Sequence, residues 1–124
     1  YINKLCSVKK SYIENIIEHV NEGEKLLLSG QIDDFGKLLH SAWIEKKYLS
    51  KSISNKKIDD LYNQAIKYGA LGGKLLGAGG GGFLLMYMKK KNQQKFFKDH
   101  KKIVNVPFNF TNIGSQIIYN DLKK

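Results

Sequence analysis

The chain has 124 residues, of which 42% are hydrophobic and 26% charged, enough apolar material for one ordinary globular domain with a real core. No apolar run is long enough for a membrane helix and no charged-then-apolar leader opens the chain, so the cytoplasm is the expected compartment. The lone Cys6 excludes an internal disulfide, and no reactive-cysteine motif surrounds it. The net charge of +10 invites a nucleic-acid reading, but the lysines are spread over the whole length, which suits a solvated surface or an anionic small molecule equally well.

Residue 1 is Tyr and a helical pattern is established by Ser11, so the chain is expected to be a piece of a longer protein. Ser11 and Glu14 have the spacing of a capping box, and Ile13, Ile16, Ile17, Val20 and Leu27 follow at helical intervals, predicting a helix over 11–28 with Gly30 as its stop. A second helix is expected from Ile32, with Asp33 and Asp34 at the positive end of its dipole and Phe35, Leu39, Ala42 and Trp43 on its apolar stripe. Lys46 and Lys47 close it within one turn of Trp43, and the stripe places the indole in the core. After the polar stretch 50–55, Ser54 or Asn55 is expected to cap a third helix carrying Ile58, Leu61, Tyr62, Ala65 and Ile66 up to Gly69.

At Gly69 the periodicity changes. Lys74–Leu76 and Phe83–Met88 read as short strands, and the glycines between them as a hairpin. A weak helix is expected from Asn92 to about Lys101. Val106, Phe108 and Phe110 alternate with Pro107 and Asn109 as in a half-buried edge strand, Asn112–Gly114 reads as a turn, and Ser115–Tyr119 as a last strand. The expected fold is therefore α+β, a four-stranded antiparallel sheet with helices packed on one face.

The glycine stretch is the chemical signal. Gly77, Gly79 and Gly82 have the G-x-G-x-x-G spacing, but a strand follows where a dinucleotide site needs a helix, and no G-x-x-x-x-G-K precedes Ser or Thr. Two readings stay open on physical grounds: a concave run of backbone N–H groups that accepts an anion, and a tight hairpin packed closely on another element. His19, His40 and His100 are too scattered for a zinc site or a triad.

Gly77–Gly82, read as G-A-G-G-G-G before Phe83 and after Gly69-Ala70-x-Gly72-Gly73-Lys74, resembles the third signature motif of the GHMP kinases. With Trp43, Lys46 and Lys47 upstream and Gly114-Ser115 near the end, the chain is most similar to the sugar-phosphate members of that family, which phosphorylate D-glycero-D-manno-heptose 7-phosphate. The resemblance implies that residues 1–124 are the C-terminal domain of such a kinase, ferredoxin-like, with the ATP-binding N-terminal domain absent from this sequence. It also implies ATP and Mg2+, transfer of the γ-phosphoryl group to the anomeric hydroxyl of the sugar phosphate, and catalytic residues lying in the N-terminal domain, so none is assigned here. Gly77, Ala78, Gly79, Gly80, Gly81 and Gly82 are the candidate nucleotide-facing residues. Lys46, Lys47, Ser52 and Ser54 are the candidates for the sugar phosphate, because an anionic substrate needs cations and donors. The competing expectation is a basic, ferredoxin-like module that binds RNA or protein without catalysis, which only the net charge favours.

Overall fold

The computed structural model describes residues 2–50, 52–77 and 79–116. In chain order they form α1 (Ile2–Leu28), α2 (Ile32–Leu49), α3 (Lys56–Lys67), β1 (Ala70–Leu76), β2 (Phe83–Met88) and α4 (Lys90–Asp99). No helix among the described residues is long and apolar enough to cross a membrane.

The helix α1 begins before the expected start, with Ser11 in its interior. A capping box requires the chain to enter from outside the helix, and the residues before Ser11 are themselves helical. Its apolar stripe is also divided. Ile13, Ile17 and Val20 are exposed, while contact with α2 runs along Tyr12, Asn15, His19 and Gly23. Tyr12 stacks on Tyr48 with ring centroids 5.8 Å apart, and Gly23 lies under Phe35 and Leu38. Gly30, at φ 71°, ends the helix in the left-handed region, as its sequence position predicts.

The other helices follow their start and stop chemistry. Asp33 and Asp34 occupy the first turn of α2, with Lys46 and Lys47 in its last. Of the two candidate caps for α3 it is Asn55 that serves, its side chain accepting from the Ile58 N–H at 3.1 Å. The last helix, α4, starts at Lys90, slightly earlier than expected, and buries Phe96.

The strands β1 and β2 pair antiparallel, with Leu76 opposite Phe83, Leu75 opposite Leu84 and Gly73 opposite Met86, and a bulge between Ala70 and Gly72. Helix α2 lies directly on this hairpin. Gly36 faces Leu71 and Tyr87, and Gly72 faces the backbone of Gly36 and His40, so the two backbones touch where neither carries a side chain. Two clusters make the core. Trp43 (1% exposed), Tyr62 (2%) and Leu75 join α2, α3 and β1, while Ala65, Ala70, Met88 and Phe96 join α3, the hairpin and α4.

The fold is α+β, but the expected four-stranded, ferredoxin-like sheet is not what forms: the sheet among the described residues has two strands. Val106–Phe110 is irregular and solvent-facing, with Phe108 60% and Phe110 94% exposed. Alternation alone makes no strand, because a ladder needs a partner edge, and Pro107 has no N–H to donate to one. Of the other expected strand, Ser115 and Gln116 are irregular and residues 117–119 lie outside the described residues.

Candidate functional site

The loop joining β1 to β2 is built from glycine for a reason visible in its dihedrals. Gly77 (φ 124°), Gly79 (112°), Gly80 (70°) and Gly82 (123°) all have positive φ, conformations that residues with a Cβ rarely adopt. Ala78 lies outside the described residues. Gly81 has no positive φ, and a Cβ there would meet nothing within 4 Å.

This loop is fastened to the segment between α2 and α3. The Gly80 N–H donates to the Ile53 carbonyl at 3.1 Å, and Asn55 Nδ2 donates to the Gly80 carbonyl at 2.8 Å. A Cβ on Gly79 would stand 3.2 Å from Ile53 Cα and 3.5 Å from the Ser52 carbonyl oxygen, so the two loops are in backbone contact. The Gly80 N–H is therefore engaged inside the chain. The N–H groups of Gly77, Gly79, Gly81 and Gly82 have no acceptor among the described residues, and Gly79 and Gly81 flank the anchored Gly80.

The second half of the site is a small polar cluster at the start of α3. Asp59 Oδ1 accepts from Ser54 Oγ at 2.9 Å and from Lys47 Nζ at 3.1 Å. The Lys47 ammonium also lies 5.8 Å from the centroid of the Trp43 ring, within cation–π range. Ser52 Oγ is 2.8 Å from Ser50 Oγ, on the segment that meets Gly79 and Gly80.

The structure thus brings Lys47, Ser54 and Asp59 together, and sets Ser52 beside the glycine loop. Lys46 joins neither group and makes no ion pair among the described residues. Asp59 and the loop-facing role of Asn55 escape sequence reasoning: an Asp in the first turn and an Asn before a helix both read as ordinary helix-start chemistry. No group of three His, Cys, Asp or Glu side chains that could hold a metal ion is found among the described residues.

The hairpin carrying the loop is braced at its far end. Tyr87 donates to Asp33 Oδ1 at 2.9 Å, and Lys89 Nζ lies 2.8 Å from Asp33 Oδ2, tying β2 to the start of α2. Both hydrogen bonds, the one from Lys89 foremost, hold the Asp33 carboxyl below its ordinary range. Behind β1, burial pushes the Tyr62 hydroxyl up to about 12, partly offset by a hydrogen bond from the Gly73 backbone. That hydroxyl also lies 2.8 Å from His40 Nδ1.

A family model described as GHMP kinases C terminal matches residues 24–100. No curated protein matches the chain at a significant level. The matched span is more than half of the 124 residues and holds the α2–hairpin contact, the glycine loop and the Lys47–Asp59–Ser54 cluster: the chain belongs to the C-terminal family of the GHMP kinases.

Proposed function

We propose that residues 1–124 act as the C-terminal domain of an ATP-dependent small-molecule kinase, partnered by an N-terminal domain that carries the main ATP-phosphate loop and the catalytic residues. The acceptor is a sugar phosphate, D-glycero-D-manno-heptose 7-phosphate, phosphorylated at its anomeric hydroxyl. Kinase membership follows from the family. The heptose assignment rests on the similarity carried by Trp43, Lys46, Lys47 and Gly114-Ser115.

The observation that carries the reading is the junction of two loops: a hairpin turn in which all but Ala78 of residues 77–82 are glycine, hydrogen-bonded to a segment lined with hydroxyls and flanked by lysines. Phosphoryl transfer depends on positioning and electrostatic stabilisation, and two domains closing on their substrates supply both. ATP, with Mg2+ on its phosphates, supplies the phosphoryl group. Gly77–Gly82 admit a close backbone approach by the N-terminal domain and present the N–H groups of Gly79 and Gly81 toward the nucleotide. Lys46, with no carboxylate partner among the described residues, meets the phosphate charge of the sugar directly. Lys47 shares its charge with Asp59, which also holds Ser54, while Ser52 and Ser54 offer hydroxyls to the sugar.

The test is ATP consumption by the whole kinase with magnesium and D-glycero-D-manno-heptose 7-phosphate, run beside galactose, mevalonate and other sugar phosphates. Turnover confined to the heptose phosphate is expected. Turnover with another acceptor discards the heptose and keeps the kinase; none with any acceptor removes the reading.

A further inference from the structure

We propose that Asn55 is a positioning residue that sets the glycine loop in its nucleotide-facing conformation, an inference that rests on reading the loop as the nucleotide-facing element. A run of positive-φ glycines has little intrinsic preference for one shape, since the residue that permits such a conformation also permits many others. Gly80 is nevertheless held on both sides, its N–H by the Ile53 carbonyl at 3.1 Å and its carbonyl by Asn55 Nδ2 at 2.8 Å. The same Asn55 amide accepts from the Ile58 N–H at 3.1 Å. One planar side chain therefore joins the first turn of α3 to the tip of a hairpin 25 residues away in sequence.

The two bonds fix the amide orientation between them. Turning the amide over would set its NH2 against the Ile58 N–H and its oxygen against the Gly80 carbonyl, losing both bonds at once. Through α3 the strut reaches the core, because that helix buries Tyr62 and Ala65. The position also asks for more than capping. Asp and Ser cap helices about as well as Asn, but Asp has no donor for the Gly80 carbonyl and the Ser side chain is too short to reach it.

The experiment uses that difference. Asn55→Asp and Asn55→Ser retain a cap acceptor and lose the link to the loop, and the neutral Ser separates loss of the link from an added charge beside a polyanion. In the 124-residue chain both variants are expected to stay folded and to lower the thermal midpoint by no more than about 5 °C, the scale of one lost hydrogen bond. The 15N backbone order parameter of Gly80 is expected to fall from about 0.85 to below about 0.6. In the whole kinase the KM for ATP is expected to rise about fivefold, the scale of one lost hydrogen bond, with the KM for the sugar phosphate little changed.

An unchanged Gly80 order parameter in both variants overturns the inference irrespective of any activity. A loosened loop with an unchanged ATP KM, while Gly80→Val still abolishes turnover, overturns the role of Asn55 alone. If Gly80→Val also leaves turnover intact, the nucleotide reading of the loop falls first and takes this inference with it.

Discussion

Two regions of this molecule are rich in glycine for opposite physical reasons. Where α2 crosses the hairpin, Gly36 and Gly72 have no positive φ, and they are required by space: a Cβ on Gly36 would stand 2.5 Å from the Tyr87 ring, and one on Gly72 would stand 2.6 Å from the His40 backbone nitrogen. At Gly80, on the hairpin tip, there is room, and glycine is required by torsion instead. Gly80 has φ 70° and meets only the Ser52 carbonyl oxygen, at 3.5 Å. A glycine-dense sequence therefore encodes a helix–sheet contact and a shaped loop in one stretch, and substitutions at the two places should fail in different ways.

The largest expected effect is at the packed crossing. Gly72→Val forces α2 off the hairpin and should cost about 3 kcal/mol or more, read as a lowered midpoint in thermal or urea unfolding. A midpoint near that of the parent chain would break the comparison, since it would mean that the crossing can open. At the tip, Gly80→Val strains one residue by about 1–2 kcal/mol, so the domain should stay folded while phosphoryl transfer by the whole kinase is abolished. Gly81→Ala is the internal control, because its φ is not positive and the space around it is open; near-parental stability and turnover are expected.

The lysines sharpen the same contrast on the functional side. Lys46→Ala should raise the KM for the sugar phosphate about tenfold with little change in that for ATP, the scale of a lost hydrogen bond to a charged group. Lys47→Ala also frees one side of Asp59, which still accepts from Ser54, so a smaller, mixed effect on both substrates is expected in initial-rate kinetics. Equal effects of Lys46→Ala on the two KM values would count against its assignment to the sugar.

Outside the working pH range the packed side also carries a pH dependence. Tyr62 titrates near 12 in the folded chain and near 10 when unfolded. Below pH 10 both states hold the proton and the tyrosine leaves stability unchanged with pH. Above it the unfolded state ionises first, so stability falls between pH 10 and 12 and then levels off. Tyr68 and Tyr87, whose hydroxyls donate to Asp99 and Asp33, are also raised, so tyrosinate absorbance of the parent chain should lose its latest component in Tyr62→Phe. Asp33 has the opposite sign: its lowered carboxyl contributes stability that is present above the ordinary value of 3.8 and lost as the pH falls through the lowered one. Asp33→Asn should flatten the acid limb of the stability curve.

How legible these features were differs by residue. Gly30, the first-turn acids of α2, the Asn55 cap and the burial of Trp43 all follow from rules that act within a few residues, and the structure has them where those rules put them. Ser11 did not cap, because a cap is defined by what precedes it, and the preceding residues are helical. Ile13, Ile17 and Val20 have the spacing of a buried face but lie exposed, since a periodic stripe says that a helix can be buried and not which neighbour is present to bury it. Val106, Phe108 and Phe110 failed as a strand on the same ground: alternation specifies a face, and only a partner edge makes a ladder.

By itself, then, the sequence determined the helical segments, the hairpin and the glycine motif that marks the family, because these rest on torsional preference, local hydrogen bonding and short-range apolar spacing. The tertiary structure alone decided that Gly36 and Gly72 meet across α2 and the hairpin. It also decided that Asp59 gathers Lys47 and Ser54, that Lys46 is left apart from them, and that Asn55 reaches Gly80. Those pairings join residues 12, 5 and 25 positions apart through side chains whose directions depend on how α2, α3 and the hairpin pack, which no local preference contains.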